Sequence, residues 1–150
     1  NMQLTCTPAQ HFSGRKFSNR KSTLWSSWVI KSKDANIYFS GDSGYGKHFA
    51  QIGESHGPFD LALVECGQYN KMWPDNHMFP KESAQAGLDL KARAMMPIHW
   101  GAFKLSMHAW NAPIQQVRKE AAALGIPLVT PEIGAPIRIE TLPEPNTVWW

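Results

Sequence analysis

The chain has 150 residues, of which 43% are hydrophobic and 18% charged. That is enough for one compact domain, and it excludes both a disordered polyelectrolyte and a transmembrane helix, which needs about 18 consecutive apolar residues. Lys and Arg number 15 against 12 Asp and Glu, with the excess early in the chain at Arg15, Lys16, Arg20, Lys21, Lys31 and Lys33.

Ser, Asn and Trp interrupt that basic run, so it reads as a solvated loop rather than a nucleic-acid-binding stripe. Cys6 and Cys66 are too few for a disulfide scaffold and lack CxxC spacing, which sets a reducing cytoplasm as the expectation. No basic segment followed by an apolar one marks a secretory signal. The start at Asn1 rather than Met leaves room for an upstream segment. Seven Trp and eleven Pro suggest ring-lined loops and a wide apolar surface.

In chain order, residues 3–7 read as a short strand stopped by Pro8, and Ala9 to Thr23 as a polar loop. Leu24 to Ile30 and Ile37 to Phe39 read as strands paired in a hairpin across the turn Lys31 to Asn36. A Gly-rich segment, Ser40 to Gly46, leads to a helix over His48 to Glu54, and Phe59 to Glu65 reads as an apolar strand. Residues 67–80 form a loop. Pro80 to Arg93 reads as a helix, with Pro and Glu in its first turn. Ala94 to Ile98 is a short buried strand, Pro113 to Leu124 a last helix closed by Gly125. Leu128-Val129 and Ile137 to Ile139 read as short strands. Alternating strands and helices make the class α/β.

Three residues sit just past strands: His11, Asp42 in Ser-Gly-Asp-Ser-Gly, and His99 in Pro-Ile-His-Trp-Gly. In α/β proteins the carboxyl ends of strands converge on one crevice, and two imidazoles with a carboxylate suit Zn²⁺, or Fe²⁺ and Mn²⁺ with less preference. Each has a plainer alternative. His11 reads equally as a hydrogen-bonded loop residue, Asp42 as an Asx turn, and His99 as a satisfied core histidine. His77, just before a helix start and beside Trp73 and Phe79, is a candidate general acid or anion contact, or a loop histidine packed on rings. His48, His56 and His108 complete no His-x-His or His-Glu-x-x-His pattern, and Cys66 reads as buried packing.

Taken together, Pro8-Ala-Gln-His-Phe-Ser-Gly-Arg15, Tyr38-Phe-Ser-Gly-Asp-Ser-Gly-Tyr-Gly46 and Pro97-Ile-His-Trp-Gly-Ala-Phe103 resemble the later metal motifs of the metallo-β-lactamase superfamily. The branch they look most like contains the zinc-dependent hydrolases similar to N-acylphosphatidylethanolamine phospholipase D, including the UlaG-like and RomA-like bacterial proteins. The resemblance spans nearly all of residues 1–142. It implies an αββα sandwich with a mixed sheet and flanking helices, and hydrolysis of phosphodiesters or related esters by a metal-bridging hydroxide. By resemblance His11 would complete a three-histidine site for one Zn²⁺, Asp42 would bridge two metals, and His99 would bind the second. His77, in His-Met-Phe-Pro-Lys-Glu, resembles the histidine that contacts substrate near the metals.

The superfamily's first metal motif, His-x-His-x-Asp-His, has no match here. The resemblance therefore implies the carboxyl-terminal half of a longer hydrolase, inactive alone. Such a half would pair with the missing amino-terminal half, or with itself, through an open sheet face. The rival readings are a metal-free structural or regulatory half-domain that joins a partner chain, and a lactonase- or β-lactamase-like hydrolase. Trp73, Phe79, Trp100, Phe103 and Trp110 favour a bulky or lipid-like substrate if they line the site. The terminal Val148-Trp149-Trp150 suits either a bilayer interface or the cover of a sheet edge.

Overall fold

A computed structural model describes residues 1–14, 16–143 and 148–150. Arg15 of the early basic run and residues 144–147 of the terminal segment lie outside the described residues. A single five-stranded sheet runs in the order β1-β2-β3-β4-β5, with β1 Gln3–Pro8, β2 Ser26–Lys31, β3 Asn36–Phe39, β4 Leu61–Glu65 and β5 Met95–Ile98. The first three strands pair antiparallel, and β3, β4 and β5 run parallel. The parallel pairs need crossovers, supplied by helices α1 His48–His56 and α2 Pro80–Asp89, while α3 Ala112–Leu124 follows β5.

Side chains of alternate residues take opposite sheet faces, and the two faces are packed differently. Val29, Tyr38, Ala62, Val64 and Met95 join Phe49 and Ile52 of α1, Ala84 and Ala86 of α2, and Val117 and Ala121 of α3 in one buried core. The opposite face carries a smaller cluster, Leu61, Ala94, Val129 and Leu142, with Ile137 and Ile139 packed on it. Further along that face, Leu4, Trp28 and Phe39 remain exposed. The result is a mixed sheet flanked by helices in the αββα-like arrangement of the metallo-β-lactamase fold.

Three expectations change. The helix from Pro80 stops at Asp89 rather than reaching Arg93, because Lys91 turns left-handed at φ 56°, and Arg93 N–H then donates to Phe59 O. Residues 137–139 form no strand; Ile139–Thr141 is a 3-10 turn. Leu128 contributes only an isolated bridge to Met95. α2 begins where its Pro permits, with Glu82 Oε2 accepting the Phe79 N–H at 2.8 Å. α3 buries Ile114, Val117 and Ala121 on one stripe and ends at left-handed Gly125.

Candidate metal centre

The parallel strands β3, β4 and β5 deliver their carboxyl ends to one edge of the sheet, and each brings a polar residue there. β4 ends in Glu65, whose side chain is fully buried. A buried carboxylate is costly unless bonded. Here Oε1 accepts the Met78 N–H, and Oε2 lies 3.1 Å from His77 Nδ1. Burial pushes the Glu65 carboxyl well above its ordinary range, opposed by the Met78 N–H and reinforced by the charges of Asp42 and Glu82. Burial also holds His77 below the usual imidazole value. When its Nδ1 carries the proton and donates to Glu65, the Nε2 lone pair is left for a cation or a substrate.

His99 directly follows β5 and takes a left-handed backbone, φ 65°, a conformation that costs a non-glycine residue energy and is held only by its surroundings. Part of that hold is Gly67, past the end of β4: a Cβ there would lie 1.9 Å from His99 O. Only a glycine lets the two strand ends approach so closely. The His99 ring stacks on His77 at a centroid distance of 5.2 Å, and its Nδ1 sits 3.5 Å from Asp42 Oδ1. Burial lowers the His99 pKa, the Asp42 charge raises it, and the neighbouring His77 and His11 lower it further.

His11 reaches the same point from the loop after β1. Its ring lies 5.1 Å from that of His77 and 4.6 Å from that of Trp25. Gln10 fastens this loop to the other two: its N–H donates to Ser43 Oγ, its carbonyl accepts the Gly44 N–H, and its Nε2 donates to Asp75 O. Gly44 is needed for that join, since a Cβ would lie 2.0 Å from Asp75 O. His11 Nδ1 hydrogen-bonds Phe12 O at 3.0 Å, whereas its Nε2 is buried with no hydrogen-bond partner. Because Nδ1 donates to a carbonyl, the neutral ring presents Nε2 as a lone pair, and burial, which lowers the His11 pKa, favours that neutral form.

The structure thus places His11, Asp42, His77 and His99 around one point, together with Glu65. Ligand atoms of Glu65, His77 and His99 all lie within 4.8 Å of one another. An orphaned buried nitrogen, a cluster of imidazoles and two carboxyl groups make a donor set of the kind that holds a metal ion such as Zn²⁺. His48 stands apart, 3.3 Å from Ser43 Oγ, and His108 stacks on Tyr69. Cys66 is fully buried, with its thiol pKa pushed well up, as packing demands. Glu65 and Gln10 carry no signature in the sequence beyond one clue, a charged residue closing the apolar run Leu61-Ala-Leu-Val64. Of the aromatic residues, Trp73 and Trp100 donate to backbone carbonyls of Gln68 and Pro97, Phe79 packs on Tyr69, and Phe103 and Trp110 are exposed. Trp149 stacks on Trp100, beside the end of edge strand β5.

The family model described as "Beta-lactamase superfamily domain" matches residues 1–100. The chain belongs to this family. A protein of Mycobacterium tuberculosis named "Uncharacterized protein Rv0906" is 41% identical over 99% of the chain and 40% of its own length. The "N-acyl-phosphatidylethanolamine-hydrolyzing phospholipase D 1" of Caenorhabditis elegans is 37% identical over 67% of the chain and 29% of that protein. Igni18, a metallo hydrolase of the archaeon Ignicoccus hospitalis, superposes with a TM-score of 0.68 at 21% identity, covering 89% of this chain and 51% of the other. The chain therefore spans well under two thirds of the length of these relatives, and its fold with the candidate ligand cluster Glu65, His77 and His99 is consistent with a metal-dependent hydrolase superfamily.

Proposed function

We propose that the protein is a metal-dependent hydrolase of phosphodiesters or related esters, and that this chain is its carboxyl-terminal half. The observation that carries the reading is the convergence of His11, Asp42, His77 and His99 on one point with His11 Nε2 buried and unbonded. The mycobacterial relative, of which the chain spans 40%, supports the placement in a longer protein. The phospholipase D of C. elegans supports the phosphodiester chemistry. In this reading the ligands absent from the sequence, the His-x-His-x-Asp-His set, come from an upstream half. That half packs on the exposed Leu4, Trp28 and Phe39 face of the sheet, and the chain alone does not turn over substrate.

His11, Asp42 and His99 would hold the Zn²⁺, with Mn²⁺ or Fe²⁺ as substitutes, Asp42 shared between two ions in the intact centre. An ion held there would supply a bound water of lowered pKa, about 7, and a charge that polarises the electrophile. The chain's own residues do the rest. Glu65 fixes His77 Nδ1 and so aims Nε2 into the cleft, where its lone pair would take a proton from the attacking water and then return that proton to the leaving-group oxygen. Asp42 holds His99 in register through the 3.5 Å approach to Nδ1. The left-handed turn at His99, locked against Gly67, keeps its ring stacked on His77 without reorganisation.

A second ligand set has its own support. Among the described residues, Glu65, His77 and His99 are the group whose ligand atoms come within 4.8 Å of one another, and their use as ligands would require Glu65 to release His77 Nδ1. The two sets separate by zinc titration of E65Q and D42N, followed by native mass spectrometry. Zinc retained by E65Q and lost by D42N supports the first; the reverse supports the second. In the longer protein, D42A abolishes loading of two metals together with hydrolysis, and an active D42A protein with two bound metals contradicts the assignment.

A further inference from the structure

A cavity of about 750 Å³ lies beside the metal centre, lined by Phe12, Ser13, Gly14, Lys16, Arg20, Lys21 and Asn76. Its size falls in the range of small-molecule sites, roughly 300–1,000 Å³, not of an extended nucleic-acid groove. Two of its walls are the immediate neighbours of site residues: Phe12 follows His11 and Asn76 precedes His77, whose rings are 5.1 Å apart. The cavity therefore adjoins the two loops that carry these histidines, although neither imidazole lines it.

Its electrostatics have one sign. Lys16, Arg20 and Lys21 line it and no acidic residue does, among the described residues. The loop that carries Lys16 and Lys21 holds no Asp or Glu, the first of the chain being Asp34, and the acidic residue next in sequence to a lining residue is Asp75, beside Asn76. The loop that carries these cations is folded on itself. Buried Ser13 donates from Oγ to Thr23 O and accepts the Thr23 N–H, and its carbonyl accepts the Lys21 N–H at 2.8 Å. That last bond accompanies a left-handed backbone at Lys21, φ 54°, a strained conformation of the sort concentrated where chains bind ligands. Exposure alone would make these cations a solvated surface; a concave arrangement fixed beside a catalytic point makes them a receptor.

We propose that this cavity is an anion subsite, which takes a second, non-reacting phosphate or carboxylate group of the substrate while the scissile ester sits at the metal centre. This rests on the hydrolase reading for what the subsite serves, but not for whether it binds. Lys16 and Lys21 supply charge-assisted hydrogen bonds, and half-exposed Phe12 supplies an apolar wall for the carbon skeleton that joins the two groups. The substrate class is thus a bifunctional anion, either free in solution or presented as a lipid headgroup.

The test uses metal-free chain at low ionic strength, titrated with inorganic phosphate by calorimetry, so that no bound zinc competes for the anion. K16A/K21N removes two cavity charges while Asn tolerates the left-handed backbone; K31A/K33A removes two charges elsewhere. Saturable binding that K16A/K21N weakens about tenfold or more, and K31A/K33A by less than about twofold, is expected. No saturable binding, or equal losses in the two variants, overturns the subsite. Flotation with phosphatidylcholine vesicles, with and without phosphatidic acid, assigns the source: binding only to the acidic vesicles, lost in K16A/K21N, identifies a headgroup, and binding to phosphate without vesicle association identifies a soluble anion. Zinc titration of K16A/K21N is the separating control. Unchanged zinc binding with lost phosphate binding shows the subsite independent of the metal centre; phosphate binding in a chain that takes no zinc leaves the subsite standing and overturns the cation site of this chain by itself.

Discussion

On one flank of the centre Glu65 and His77 are buried, with 0% and 12% of their side-chain surface open, and bonded to each other; on the other, Asp42 and His99 keep 35% and 31% open. The first flank completes its hydrogen bonds within the chain. The second holds a loose 3.5 Å contact and faces the unbonded nitrogen of His11. A closed flank is scaffold, its cost met inside the fold; an open flank leaves its valence to a cation, a substrate or a second polypeptide. The same division recurs in the sheet, where one face is sealed by three helices and the other leaves Leu4, Trp28 and Phe39 uncovered.

The comparison breaks most visibly at Gly67. G67A drives a methyl group into the carbonyl of His99, backbone against backbone, and is expected to destabilise the chain by roughly 3 kcal/mol or more. Chemical denaturation measures it. E65A leaves the Met78 N–H and His77 Nδ1 without their buried acceptor and is expected to cost about 2–4 kcal/mol. If E65A unfolds at the wild-type midpoint, the closed flank is not scaffold.

The pH dependence of the metal-free chain sharpens the contrast. His11, His48, His77 and His99 all have pKa values lowered by burial. The unfolded chain therefore binds more protons near and below pH 6.5, and this contribution to stability is full above that value and is lost as pH falls. Glu65 acts in the opposite direction: its raised pKa means the folded chain binds more protons, so its contribution declines as pH rises above the ordinary carboxylate value. E65Q removes the opposing term, and its stability is expected to fall more steeply than wild type between pH 7 and pH 5 in denaturation midpoints taken across that range. The smallest effect on the metal-free fold belongs to D42A. Removal of a third-exposed carboxylate 3.5 Å from its partner costs under about 1 kcal/mol, yet it is expected to abolish the rise in melting temperature that zinc gives wild type.

Association tests the open face. The chain is expected to self-associate in sedimentation at high concentration, and W28K/F39K, which charges the centre of that face, to sediment as a monomer. A wild-type chain that stays monomeric throughout shows the face needs no cover.

His11, Asp42 and His99 were legible in the sequence because each stands just past a strand, and strand order alone sends those positions to one edge. His77 was legible through its motif. Glu65 and Gln10 were not, since their roles depend on loops far apart in sequence meeting: Gln10 joins segments around Ser43 and Asp75, and Glu65 meets His77 twelve residues later through a loop with no regular structure. Strand and helix positions followed from apolar runs and from Pro80 and Gly125. The early end of α2 did not, because the left-handed turn at Lys91 has no glycine to announce it. The 137–139 segment looked like a strand from its alternation, but its Ile residues pack on the sheet face instead of pairing at its edge.

In the reading proposed above, His11, Asp42 and His99 converge into a cation site. Native mass spectrometry of the purified chain, after exchange into metal-free buffer and titration with zinc, tests it most directly. Stoichiometric zinc is expected to be retained by wild type and lost in H11A and H99A. A chain that retains no more zinc than H11A/D42A/H99A contradicts it.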